Sequence, residues 1–309
     1  MMRKTSYRLA LVLLAAVGLF GVGISLLRWQ HLRGSEREDA LRKPLFQQPF
    51  IPGKLSFAGE SVPLGREDVY ESLDRELCVN MNWHSQMLLI LKRANRYLPQ
   101  VTRILKEHQV PEDFKYLLVA ESHLDLLAVS PAGAVGPWQF LEATGQEYGL
   151  EVRDEVDERY HLERSTEAAC RFFQEARARF GSWTLAAAAY NMGVNGLARQ
   201  MEMQRQNDYY NLLTGVENGR YIYRILAFKL ILESPSTYGF FLSAEQLWPP
   251  LDCEVVNVDS TVTDLAAFAL AHGSNYKLLK WLNPWLRTNS LHVEEGQQYP
   301  ITLWRERRR

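Results

Sequence analysis

Residues 111–140 restrict the fold of this chain more than any other stretch. Pro111 suits a first helical turn, and Glu112 and Asp113 suit the positive end of a helix. Phe114, Leu117, Leu118 and Glu121 come next at i, i+3, i+4 and i+7, the spacing of one helical face. A helix here is expected to carry Glu121 on its apolar stripe. A carboxylate in that position is costly unless it is protonated or paired. Desolvation raises its pKa toward the range that a general acid needs near neutral pH. A structural glutamate paired with a basic residue is the other reading that the helix alone allows. From Ser130 to Phe140 the composition turns to Gly, Ala and Pro, which no helix survives.

In that loop Gly133 and Gly136 permit a close backbone approach, to a ligand or to a neighbouring element. Gln139 offers an amide donor and an acceptor. Trp138 can stack on a sugar face, although core filling is the default for a Trp in isolation. Asp125 lies one turn past Glu121 and is either a second carboxylate or a solvated helix-end residue.

The flanking sequence is largely helical. Asn82 suits the cap of a helix running through Ala94, and Pro99 and Pro111 punctuate the segments beyond it. Ser165 suits the cap of a helix with Ala169, Phe173, Ala176 and Phe180 inward, ended by Gly181. Trp183 to Asn191 is alanine-rich and places Tyr190 and Asn191 at a helix end, facing a cavity or acting as core and cap. Gly219 precedes a helix with Tyr221, Ile225, Phe228 and Leu232 on one face. After Trp248-Pro-Pro250 the pattern changes to a strand at Cys253–Val258, helices at Thr263–Ala271 and Tyr276–Leu282, and a strand at Gln297–Leu303. That β-α-α-β order marks a small separate module, and Arg305–Arg309 a solvated tail.

The 309 residues allow one large or two modest domains plus extras. With 35 basic and 36 acidic residues the net charge is −1, so no nucleic acid or other strongly charged partner is expected. Cys78, Cys170 and Cys253 show no metal-ligand spacing and imply no disulfide framework; Cys170 suits a buried position. Leu9–Leu27 is uncharged and mostly apolar, and such a run suffices for a membrane helix, which needs about 20 residues. The absence of an Ala-x-Ala site favours an uncleaved signal anchor over a cleaved signal peptide. Orientation is not set by charge, because Arg28 and Arg33 oppose Arg3, Lys4 and Arg8. The expected organisation is therefore a signal anchor over 1–30, a proline-punctuated linker over 31–65, a helical domain over 66–247, and the small module over 248–309.

Four motifs in order resemble the membrane-bound lytic murein transglycosylases of the D type, whose catalytic domain is lysozyme-like. They are Glu121-Ser122 within Tyr116–Leu124, the Ser130–Phe140 loop, Val156-Asp-Glu-Arg-Tyr160 with Ser165–Ala169, and Ala189-Tyr-Asn-Met-Gly193. A further signature, usually Glu-Thr-Arg-x-Tyr, stands here as Glu217-Asn-Gly-Arg-Tyr221, with matching ends and a departing middle. Pro137 also replaces the usual aliphatic or aromatic residue. The C-terminal module is similar to a degenerate LysM repeat, through Asp259–Val262, Leu265-Ala266, His272-Gly273, Asn283-Pro284 and Gly296-Gln297; a purely structural cap is its competitor.

The resemblance implies a mainly α protein with a lysozyme-like domain, a β-α-α-β module and an N-terminal transmembrane helix. It implies cleavage of the MurNAc–GlcNAc β-1,4 bond of peptidoglycan with formation of a 1,6-anhydro ring, and neither metal nor cofactor. Glu121 would be the single general acid and base; Ser122, Gln139, Tyr190, Asn191, Glu217 and Tyr221 would bind substrate. Glycosidases generally use two carboxylates, but an intramolecular nucleophile lets one glutamate serve twice. Peptidoglycan glycan strands and the cytoplasmic membrane are the implied partners, with the catalytic domain in the periplasm. Removing the C-terminal module is expected to weaken binding to sacculi and to spare activity on short glycans. A hydrolytic lysozyme and a silent wall-binding anchor are the rival readings.

Overall fold

The computed structural model describes residues 48–304. The expected anchor helix at Leu9–Leu27 and the Arg305–Arg309 tail lie outside them. Among the described residues no helix is long and apolar enough to cross a membrane.

The linker expected up to residue 65 gives way to ordered structure. Strands β1 (Ser56–Phe57) and β2 (Glu60–Ser61) form an antiparallel hairpin whose Phe57 is fully buried in the main core. Lys229 Nζ ties it down through Ser56 O (2.9 Å) and Asp113 (2.7 Å). So short a hairpin has no periodicity to read, which is why it passes for linker.

Helix α1 (Glu67–Asn82) ends where the sequence suggests a cap, and α2 starts at His84. Helix α2 (His84–Glu107) continues past Ala94 and through Pro99, because Ile90, Leu91, Val101, Ile104 and Leu105 all bury against the same core. Residues 111–113 form a turn, and α3 covers Phe114–Ser122. Its buried residues include Tyr116, Val119 and Ala120 besides the expected stripe, so α3 is a central helix rather than an amphipathic one.

The Ser130–Phe140 loop folds back through paired residues Val129–Val135 and Val135–Phe140. After α4 (Glu142–Glu147) and a 3₁₀ turn (Glu158–Tyr160), α5 spans Leu162–Phe180. Ser165 is therefore no cap but an interior residue, its hydroxyl bonding His161 O (2.6 Å). Helices α6 (Trp183–Met192) and α7 (Val194–Gln204) come next. Helix α8 (Val216–Glu233) begins before Gly219 and is buried almost continuously from Tyr221 to Ile231. It packs on α1, α3 and α6, making the centre of a helical layer around α3.

The C-terminal module has the expected order. Strands β3 (Cys253–Val258) and β4 (Tyr299–Trp304) pair antiparallel, Cys253 opposite Trp304 and Val258 opposite Tyr299, around α9 (Leu265–Ala271) and α10 (Tyr276–Leu282). Tyr299, Ile301 and Leu303 alternate inward, as a one-sided sheet requires. Their cluster also takes in Val135, Val156 and Tyr160 from the middle of the chain. The molecule is mainly helical with a small C-terminal sheet.

Candidate active site

Helix α3 delivers Glu121 in its last turn, and left-handed backbone at His123 (φ 54°) and Leu124 (φ 59°) turns the chain away at once. The residue keeps partial solvent access while its carboxyl accepts a hydrogen bond from the Tyr221 hydroxyl. Burial pushes the Glu121 pKa up to about 7, against the opposing pull of that bond and of the Arg224 guanidinium. A carboxyl raised into this range is suited both to give and to take a proton near neutral pH.

The tyrosines come from two other helices. Tyr221 sits in the first half of α8, and burial, with the nearby Glu121 charge second, holds its phenol protonated. Tyr190 lies near the end of the alanine-rich α6, where small side chains bring that helix close to α5. Its hydroxyl donates to Trp138 O (2.7 Å), and its ring packs among Trp138, Phe140, Phe172 and Phe173. Burial and the Glu121 carboxylate raise its pKa well above the ordinary value. The Tyr190–Trp138 bond joins the glycine-rich loop to the neighbourhood of Glu121.

Within that loop Trp138 is fully buried, with Nε1 bonded to Thr166 Oγ1 (2.9 Å). It is core, not a sugar-stacking surface. Gln139 has φ 53°, and its Nε2 donates to Gly136 O (2.8 Å) and Ala128 O (3.2 Å). Tying down the amide nitrogen leaves Oε1 as the group to meet a ligand.

The remaining expected residues are placed less centrally. Ser122 is buried and its hydroxyl bonds back to Leu118 O (3.4 Å). Asn191 is exposed at the end of α6. Glu217 is exposed in the first turn of α8 and pairs with Arg224 (2.7 Å). Asp125 caps the next turn through Leu127 N (3.0 Å) and lies 3.9 Å from Arg93.

Two residues outside the motifs complete the electrostatics. Glu76, wholly buried on α1, accepts from Arg220 (2.7 Å) and lies 3.7 Å from Arg224. Arg224 therefore stands between Glu76 and Glu217 while acting on Glu121. Val69, Leu73 and Glu76 share one helical face, so the spacing rule that picks out Glu121 also picks out Glu76. Among the described residues no group of acidic, His and Cys side chains is arranged to hold a metal ion.

Residues 102–213 match the family model described as the Transglycosylase SLT domain, and residues 254–306 match the Soluble lytic transglycosylase C-terminal LysM-like domain. The first span contains Glu121, Ser122, Gln139, Tyr190 and Asn191; Glu217 and Tyr221 fall just beyond it. The chain is also similar to the membrane-bound lytic murein transglycosylase D of Escherichia coli strain K12, and to that of strain O6:H1 (CFT073). Each is 29% identical over 212 residues, which is 67% of this chain and 46% of the relative. The chain thus spans about half the length of these curated relatives.

Proposed function

We propose that this chain, with its transglycosylase SLT domain and LysM-like C-terminal domain, is a peptidoglycan lytic transglycosylase whose single acid and base is Glu121. The observation that carries this reading is the Glu121 carboxyl, desolvated to a pKa of about 7 at the end of a central helix. In its acid form Glu121 protonates the glycosidic oxygen between MurNAc and GlcNAc as the C1–O bond breaks. The resulting carboxylate takes the proton from the MurNAc C6 hydroxyl while O6 bonds to C1. The products are a GlcNAc-terminated fragment and a 1,6-anhydro-MurNAc end, and no water is consumed.

The neighbours have roles that fit this cycle. The Tyr221 hydrogen bond stabilises the carboxylate formed after the first transfer. The Gln139 amide oxygen and Asn191 suit contacts to the acetamido and hydroxyl groups of the sugars, and Tyr190 supports the loop that carries Gln139. Glu217 and Arg224 form an ion pair suited to the polar substituents of the glycan. Ser122, buried under the site, supports the helix end rather than offering a free hydroxyl.

We further take residues 66–247, with the β1–β2 hairpin, as the catalytic unit and residues 248–309 as the LysM-like module. The segment 1–30 is the membrane anchor and the catalytic unit lies in the periplasm, in keeping with the membrane-bound relatives. Fractionation with protease accessibility tests that placement; a fully soluble mature protein would remove the anchor.

The deciding experiment is mass spectrometry of digests of purified peptidoglycan. The parent is expected to release muropeptides with 1,6-anhydro ends, each lighter by one water than a lysozyme product. Glu121→Gln keeps size and hydrogen bonding but loses both proton transfers. Its turnover should fall by more than the roughly 10²–10⁴-fold of a single acid or base role. Reducing ends from the parent would make it a hydrolase, and near-normal turnover of the variant would remove Glu121 from the chemistry.

A further inference from the structure

The C-terminal module is not hung on the helical domain by a hinge. Its α10–β4 loop pairs edge to edge with residues 155–157: Arg287 N donates to Glu155 O (2.7 Å), Asp157 N donates to Trp285 O (2.9 Å), and Val156 lies opposite Leu286. The Glu155 carboxylate accepts from His292 N (3.0 Å) and Ser290 Oγ (3.1 Å) and also pairs with Arg153. Arg153 Nη2 in turn donates to His292 O (2.9 Å). Tyr299 donates to Glu151 (2.8 Å), and the Arg287 guanidinium lies 4.2 Å over the Tyr160 ring. Val135, Val156 and Tyr160 share one apolar cluster with Leu265, Leu279, Leu286 and Ile301.

From these contacts a short path leads into the active site. Val135 enters the shared cluster, and beside it Gly136 packs so closely on Arg159 that a Cβ would stand 2.0 Å from its carbonyl oxygen. Gly136 O holds the Gln139 amide, and Arg159 also donates to Phe140 O (3.4 Å). The carbonyl between them, that of Trp138, receives the Tyr190 hydroxyl. The loop thus rests on Val135, which shares the module's apolar cluster, and on Arg159, which bonds Asp157 (2.9 and 2.7 Å), the residue whose backbone N–H donates to Trp285 O.

We infer that the C-terminal module is a clamp that positions the glycine-rich loop for catalysis, with Glu155 as its positioning residue. A module serving only to bind the cell wall needs a tether, not a shared core and a glutamate that takes three donors. The clamp fixes residues 151–161 and Val135, and through Gly136 it fixes Gln139 relative to Tyr190 and Glu121. The inference rests on the proposed role of Gln139 in substrate binding.

The test uses the full chain with Glu155→Ala, Glu155→Gln and Arg287→Ala. Each is assayed on short soluble glycans of alternating GlcNAc and MurNAc, for sedimentation with intact sacculi, and for amide exchange across residues 130–140. In Glu155→Ala, kcat/KM on the soluble glycan is expected to fall about tenfold, a modest share of what a displaced substrate-positioning group costs. Exchange across 130–140 should quicken and sedimentation with sacculi should hold. Glu155→Gln, which still accepts from His292 N, should recover most of the loss. Should Glu155→Ala not fold, Arg287→Ala carries the comparison, since it keeps the backbone N–H bond to Glu155 O while taking the guanidinium off the Tyr160 ring and Pro284 O. Unchanged kcat/KM and exchange in the folded variants, or lost sacculus binding with intact turnover, would overturn the clamp. The product ends made by the parent test the proposed reaction separately, and the exchange readout does not depend on turnover at all.

Discussion

Glu121 works between two opposing influences, and each can be removed by one substitution. Burial raises its pKa to about 7, while the Tyr221 hydroxyl and the Arg224 cation both favour the carboxylate. As the first step of the proposed reaction needs the acid form, turnover should decline as pH rises through about 7. Tyr221→Phe and Arg224→Met each withdraw support from the carboxylate, so the alkaline limb should move to higher pH. A pH–rate profile with that limb moved downward in either variant would contradict the assignment. The same shift links to stability. Folding favours protonated Glu121, so this contribution is full below the ordinary glutamate pKa of 4.5 and fades as pH rises through about 7. Glu121→Gln should accordingly flatten the stability profile between those values, as denaturation at several pH values would reveal. Glu121 is legible in the sequence because a carboxylate interrupts an apolar stripe, and Tyr190, Gln139 and Tyr221 because they sit in motifs. Arg224 is not, since an arginine one turn past Tyr221 looks like any solvated residue until Glu76 is seen buried on the facing helix.

Single groups also decide how elements meet. Gly136 adopts φ 77° and leaves no room for a Cβ beside Arg159 O, whereas Gly133 has φ 81° and open space around it. Gly136→Ala should therefore cost about 3–5 kcal/mol from backbone strain and overlap together, and Gly133→Ala only about 1 kcal/mol from strain alone. Equal losses in denaturant unfolding would mean that the close packing on Arg159 does not matter. At the start of α6, Glu60 accepts from Ser182 Oγ (2.7 Å), Trp183 N (2.7 Å) and Thr184 N (2.9 Å). Burial works against this carboxylate, but the hydrogen bonds prevail and hold its pKa below the ordinary value. Glu60→Ala should cost about 2 kcal/mol near neutral pH, with the difference from the parent shrinking as pH falls through that depressed pKa. Chemical denaturation at pH 7 and pH 3 would measure both. The sequence pattern identifies most helices but misplaces several starts. Asn82, Ser165 and Gly219 have good capping chemistry, yet burial of neighbouring apolar residues carries the helices past them or stops them elsewhere.

At the scale of the molecule, the two apolar clusters are separate, but the second is built from two distant stretches of the chain. Val135, Val156 and Tyr160 come from the helical domain; Leu265, Leu286 and Ile301 come from the module. The β-α-α-β order is readable from its alternating and helical spacings, whereas its docking is not, because Val135 and Val156 lie in irregular backbone that has no period. Spacing alone therefore suggests an independent module whose removal spares activity on short glycans. The shared core argues otherwise. Removing residues 251–309 would uncover Val135, Val156 and Tyr160 and leave Glu155 and the Asp157 N–H without the partners now provided by His292, Ser290 and Trp285. Exposed apolar surface and orphaned polar groups both destabilise, so the truncated protein should melt well below the parent and turn over short glycans poorly. The intact protein should unfold in one cooperative step, as differential scanning calorimetry can show by agreement of calorimetric and van't Hoff enthalpies. Two resolved transitions, or a truncated protein that keeps the parent's melting temperature and turnover, would mean that the domain stands on its own and the shared cluster is incidental.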